Sequence, residues 1–173
     1  MTAMKVRETV TTPSTLAELM AQAYALEREA VERYGELADV LATHNNQEVA
    51  ALFRRLASQE ALHATEILRT MGWSRAPQPP ALPDAPEAPA FDEVHYLMHP
   101  WHALRIALDA EQRAHDFFAG LAQRCDSDDL KRAAQQLQAD EHEHIVLLQS
   151  WLQRTPPPPA GWDEDPDPPR YPH

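Results

Sequence analysis

Proline is spread so unevenly along this chain that its placement outlines the fold. None occurs between Ser14 and Ala76, and none between Trp101 and Thr155. The prolines crowd instead into residues 77–89 (PQPPALPDAPEAP) and 156–172. Inside a helix, proline removes a backbone donor and clashes with the preceding turn. The two proline-free blocks are therefore where long helices can run, and the clusters are where they cannot. Strand signals are missing, with no β-branched alternation and no Asn-Gly turn between apolar runs. The chain reads as all-α.

Local signals divide each block in two. The first helix is expected to open at Ser14 as N-cap, with Thr15 as the alternative, and to run to about Thr43. A short polar break (HNN) precedes a second helix from about Gln47 to Met71, where Gly72 suits the C′ position. Pro100 fits the first turn of a third helix, which runs to about Arg124. Asp126 or Ser127 caps a fourth, with Asp128 and Asp129 in its first turn, and this helix ends near Arg154. The expected organisation is an N-terminal arm (1–13), a bundle (14–154) with a crossover segment (75–99), and a Pro-rich acidic tail (155–173). FDEVHYLMH, within the crossover, reads as a short helix that could cover a site or a dimer face. Two tight hairpins joined by one long crossover is the connectivity of a ferritin-like four-helix bundle.

Each helix carries an apolar seam at alternating steps of three and four, the mark of a face buried in a bundle. The seams are Leu16, Met20, Ala23, Glu27, Ala30, Tyr34, Leu37, Leu41; then Val49, Phe53, Leu56, Glu60, His63, Ile67. The second half gives Leu104, Ala107, Glu111, Ala114, Phe118, Leu121, Cys125; then Leu130, Ala134, Leu137, Glu141, His144, Leu148, Trp151. Each seam is interrupted only near its middle. One Glu stands there on the first and third helices, and Glu-x-x-His on the second and fourth.

The halves repeat each other. Aligning Glu27 with Glu111 matches Ala30 with Ala114, Tyr34 with Phe118 and Leu37 with Leu121; aligning Glu60 with Glu141 matches Leu56 with Leu137 and His63 with His144. This pattern is an internal duplication of a helical hairpin. In both hairpins the two acids are equidistant from the turn, roughly 22–25 Å away at ~1.5 Å per residue. All six polar residues can thus share one layer.

A carboxylate taken alone into an apolar core costs several kcal/mol, and four together repel one another. Two divalent cations resolve this: four Glu charges balance two M²⁺, neutral imidazoles complete the coordination, and the i, i+3 spacing puts both ligands of each pair on one face. The set is that of carboxylate-bridged di-iron or di-manganese bundles.

The stretches ALEREAVERYGELADVLATHNNQEVAALFRRLASQEALHATEIL and ALDAEQRAHDFFAGLAQRCDSDDLKRAAQQLQADEHEHIVLL resemble the two halves of a rubrerythrin-type ferritin-like domain, over about residues 14–154. The resemblance implies Glu27 and Glu111 as terminal ligands, Glu60 and Glu141 as bridges, and His63 and His144 binding one metal each. It implies two iron ions, with manganese the alternative, and Fe²⁺ oxidation or reduction of H₂O₂ or O₂ using an external electron donor. Iron binding or storage without turnover and di-iron hydroxylation are the alternative functions; the hydroxylase would need an organic pocket beside the metals. Two features depart from rubrerythrins proper. A single cysteine, Cys125, rules out their four-cysteine rubredoxin site, and Ala114 stands where they carry an extra carboxylate. The six-ligand set is closer to the symmetric bacterioferritin pattern.

Four neighbours are candidates for supporting roles. Gln59 and Asp140, four residues before each His, could hold a ligand imidazole or be polar flanks. Tyr34 reads as a packed core aromatic, with a hydrogen bond to a ligand as the alternative. His115 reads as a boundary histidine, with a seventh ligand or proton donor as the alternative. The net charge of −12 argues against nucleic acid or an anionic membrane as partner. With no long apolar run and one cysteine, a cytoplasmic protein is expected, as a homodimer or larger homo-oligomer.

Overall fold

A computed structural model describes residues 13–78, 86 and 99–161. The arm, the short helix expected at FDEVHYLMH, most of the crossover and the end of the tail lie outside the described residues. Four helices account for the rest: α1 (Leu16–Thr43), α2 (Gln47–Met71), α3 (Pro100–Arg124) and α4 (Asp128–Arg154). No strand occurs among the described residues, and none of these helices is long and apolar enough to cross a membrane.

The helix ends follow from local chemistry. Thr15, rather than Ser14, caps α1: its hydroxyl accepts from the Glu18 N–H at 3.1 Å. Glu18 reaches back to the Ser14 N–H at 2.9 Å, so Ser14 serves as the partner of a capping-box acid while its neighbour does the capping. The α1–α2 turn closes through Asn45, which adopts a left-handed φ of 60°, a conformation asparagine tolerates better than most residues. The N–H of Asn46 then bonds back to Leu41 at 2.9 Å. Gly72, at φ 67°, ends α2, and the Trp73 N–H returns to the Leu68 carbonyl at 2.9 Å. Ser127 caps α4 by accepting from the Leu130 N–H at 3.4 Å.

Helices approach each other closely within each hairpin, α1 with α2 and α3 with α4, and more sparsely between hairpins. The interior divides into two apolar clusters. One gathers Leu37, Leu41, Phe53 and Leu56 with Leu104 and Leu148. The other gathers Leu19, Ala23 and Ile67 with Phe118, Leu121, Leu130 and Leu137. The first includes Leu41 and Val49, beside the α1–α2 turn, and the second includes Leu121 and Leu130, beside the α3–α4 turn. The two hairpin turns therefore sit at opposite ends of the bundle, related by a pseudo-two-fold axis through the layer between the clusters. The seams face inward almost throughout. Leu16, in the first turn of α1, is 40% exposed, and Met20, His63, Cys125 and Trp151 are only partly buried.

The two glycines of the first hairpin should respond oppositely to alanine. Gly35 lies in mid-helix with open space where a Cβ would go, so Gly35→Ala should stabilise by about 0.5–1 kcal/mol. Gly72→Ala also meets no obstacle, but its φ penalises any Cβ, and it should destabilise by about 1 kcal/mol. Urea denaturation of both variants measures the two signs.

Candidate metal centre

The layer between the clusters holds the interrupted middle of all four seams. Glu27, Glu60, Glu111, Glu141 and His144 are buried, and His63 is 37% exposed. Each comes from a helix middle whose flanking seam residues are packed, so the backbone holds these side chains inward. Two triads emerge, Glu27–Glu60–His63 and Glu60–Glu111–His144, each offering ligand atoms within 4.8 Å of one another. Glu60 belongs to both. His63 Nδ1 lies 3.7 Å from Glu27 Oε2 and 3.6 Å from Glu60 Oε2. His144 Nδ1 lies 2.8 Å from Glu60 Oε1 and 3.8 Å from Glu111 Oε1. The imidazoles stack with centroids 5.8 Å apart. Glu141 stands outside both triads, buried beside Glu111.

Whether these residues suit cations can be read from their polar atoms. Glu27 Oε2, Glu60 Oε1, His63 Nδ1 and His144 Nδ1 are all buried and none meets a partner in well-aligned hydrogen-bond geometry, although His144 Nδ1 and Glu60 Oε1 are 2.8 Å apart. Such atoms are costly in a folded protein. Four of them converge here, on two triads that share a carboxylate. Oxygen and imidazole donors in this mixture suit iron or manganese, and the residues fit a two-cation centre.

Titration behaviour, as set by the protein groups alone, points the same way. Burial and the neighbouring Glu60 push the Glu27 carboxyl well up. Burial and Glu111 do the same to Glu141. Burial opposes ionisation of Glu60 too, but Glu27, His144 and His63 together hold its carboxyl below the ordinary range. Glu27 and Glu60 raise His63 to about 10. Burial pulls His144 down, yet Glu111 and Glu60 outweigh it and raise it to about 10 as well. The layer thus retains protons that an unfolded chain would release, and these are the positive charges that cations would replace.

The supporting candidates are placed unequally. Tyr34 is fully buried against Phe53, and its hydroxyl donates to Glu111 Oε1; it is both a core aromatic and a ligand's partner. At the duplicated position Phe118 has no hydroxyl to offer. Asp140 accepts from Gln136 at 3.0 Å and lines a cleft beside His63. Gln59 is exposed and, one residue before Glu60, turned about 100° from the seam, in keeping with the polar-flank alternative. His115 does not join the centre. Its ring faces Asp116 at 3.1 Å and Gln138 at 3.4 Å, on the outer flank of the α3–α4 pair. Ala114 lines a small cavity with Glu111 and Glu141, and adds no carboxylate there. Arg33, which the sequence reading passed over, sits over the Tyr34 ring at 5.5 Å and lines the same cavity; its lone charge off the seam carried no periodic signal.

The rubrerythrin family model matches residues 18–152. The chain belongs to the rubrerythrin family. It is 41% identical to an uncharacterised conserved protein from Magnetospirillum magnetotacticum MS-1, covering 84% of this chain and 98% of that one, with a TM-score of 0.71. It also resembles a Rhodobacter capsulatus bacterioferritin, described with a metal-free dinuclear site and haem iron, at 18% identity over 82% and 88% of the two chains and a TM-score of 0.59. That second likeness speaks for the ferritin-like fold alone. No curated protein matches the chain. For this rubrerythrin-family chain, family membership and the clustered carboxylates and histidines together support a two-metal site.

Because Glu27, Glu141, His63 and His144 all bind protons more tightly when folded, the layer's proton-linked stability is present below the unfolded pKa values and lost as pH rises. In chelator, Tm should therefore fall between about pH 6.5 and 10, the window set by the two histidines. Saturating Mn²⁺ should abolish the fall. Metal binding must displace these protons, so affinity should rise with pH. Calorimetry in buffers of differing ionisation heat should detect net proton release on metal binding at neutral pH, with His63 and His144 each giving up a proton.

Proposed function

We propose that this protein is a non-haem di-iron oxidoreductase of rubrerythrin type, which oxidises Fe²⁺ and reduces peroxide or O₂. The observation that carries the reading is the sharing of Glu60 between two triads of carboxylate and imidazole groups, buried except for part of His63. Two cations held through a common carboxylate would be close enough to act on one substrate molecule together. Iron, when bound, supplies two electrons, one from each ion. The protein's part is to hold the ligands in a mostly apolar layer. Glu27, Glu60 and His63 would hold one ion, and Glu60, Glu111 and His144 the other, with Glu141 adjacent to complete the set. The Tyr34 hydroxyl fixes the orientation of Glu111. His63, the more exposed imidazole, marks the side from which an oxidant would arrive. Lacking four cysteines, the described bundle would take electrons from an external donor or from Fe²⁺ itself. A cytoplasmic location and a homodimeric or larger assembly belong to the same proposal.

Wild-type protein loaded anaerobically should bind two Fe²⁺ per chain and develop near-ultraviolet ferric absorbance on addition of H₂O₂ or O₂. Glu60→Ala, which removes the shared ligand, should lose both ions. His63→Ala, which removes a direct ligand, should weaken one ion by at least about 100-fold and leave the other, since losing even an outer-shell partner costs about 10–100-fold. Full metal retention by Glu60→Ala, or a loaded wild type inert to both oxidants, would overturn the reading.

A further inference from the structure

The ligand positions repeat with the internal duplication of the sequence, but the side chains that wall them do not. A cleft of about 250 Å³ opens between α1, α2 and α4 and reaches Glu27 and His63; Met20, Ile67, Ala133 and Leu137 give it an apolar wall. Applying the duplication (Glu27 to Glu111, Glu60 to Glu141) predicts a twin cleft beside His144. It is filled. Where the open side has Ala133, the twin position is Leu52; where it has Thr70, the twin is Trp151; where it has Glu66, the twin is Leu147. Leu52 is buried, and Leu147 and Trp151 pack against the same apolar cluster. His144 is accordingly 7% exposed against 37% for His63. The opening is thus a place where the two halves of the sequence differ in side-chain size, beside an otherwise duplicated centre.

The space is too large and too apolar for hydrogen peroxide alone. At about 250 Å³ it far exceeds the space one peroxide molecule, little larger than a water, would take. Glu27, Glu66 and Asp140 border it, which disfavours an anion. A fitting occupant is neutral, with an apolar body of roughly ten non-hydrogen atoms and one polar end directed at Glu27 and His63.

We propose that the cleft binds an organic hydroperoxide, with the apolar body against Met20, Ile67 and Leu137 and the O–OH end at His63. This rests on the oxidoreductase reading and names its substrate class. The step balances in a single turnover: ROOH + 2 Fe²⁺ + 2 H⁺ gives ROH + H₂O + 2 Fe³⁺. The O–O bond breaks, each ferrous ion gives one electron, and the protons come from solvent reaching the open cleft. Hydroxylation of the apolar body, the other use of such a space, would need O₂ in addition.

The test fills the cleft with the residues found in its twin. Binding of cumyl alcohol, the product-like probe, to the Zn²⁺-loaded protein is measured by calorimetry for wild type, Ala133→Leu and Thr70→Trp. Reduction of cumene hydroperoxide and of H₂O₂ by the Fe²⁺-loaded proteins is measured alongside. We expect cumyl alcohol to bind wild type, at least ten-fold weaker binding in either variant, and at least a ten-fold fall in the ratio of cumene hydroperoxide to H₂O₂ turnover. Absence of binding, equal binding in all three proteins, or an unchanged ratio would overturn the cleft assignment, leaving the oxidoreductase reading intact if H₂O₂ is still reduced. A wild type that binds the alcohol but is oxidised by neither peroxide would overturn both. If one variant does not fold, the other carries the comparison.

Discussion

The constraint on which this bundle rests is the burial of four carboxyl groups and two imidazoles in one layer. A single uncompensated ion in such a place costs several kcal/mol, while a whole domain is stable by only about 5–15 kcal/mol. The layer must be neutralised, and protons and divalent cations are rival means of doing so. This is why the pKa values of Glu27, Glu141, His63 and His144 are displaced in the direction that keeps protons bound. It is also why the apolar clusters lie on both sides of the layer. They supply the burial that offsets a costly middle, and they hold the helices at the spacing the ligands require.

Much of this was legible in the sequence because a four-helix bundle translates periodicity directly into position. Residues three and four apart share a face whatever their chemistry, so Glu60 and His63 could be placed inward before anything was known of their neighbours. The duplication added register, since acids equidistant from their turns must meet at one height. Legibility failed where position depends on something other than period. Ser14 and Thr15 are both competent caps, and the choice between them turned on which one Glu18 could reach back past. Leu16 continues the seam but lies in the first turn, where the bundle has little left to cover it. For Gln59 and His115, spacing to a ligand along the helix left two readings open each; the structure has Gln59 exposed and turns His115, the boundary histidine, toward Asp116 and Gln138.

The partner of Tyr34 was hidden for a related reason. A tyrosine on a seam reads as core, and its burial against Phe53 agrees. Its hydroxyl, however, crosses to Glu111, 77 residues away in sequence. Contacts between hairpins depend on the relative placement of two units that the crossover connects without dictating their docking. Glu141 illustrates the same limit. Its seam position fits its burial beside Glu111, but period says nothing about rotamer, and the side chain lies outside the two triads.

Duplication explains how six polar residues came into register, but a perfectly symmetric result would be either sealed on both sides or open on both. Sealing both would bury the layer well and deny it to anything larger than diffusing gas. Opening both would admit water to every ligand and remove the apolar packing that offsets the layer's cost. Here the second cluster gives up packing at Ala133 and Thr70, while the first gains it at Leu52 and Trp151. Tyr34 holds Glu111 on the sealed side, and Phe118 leaves Glu27 without an equivalent tether. The ligand residues repeat in the sequence because coordination demands the same chemistry twice. The walls do not, because stability and access make opposite demands on the same space, and two copies of one hairpin allow each demand to be met by a different copy.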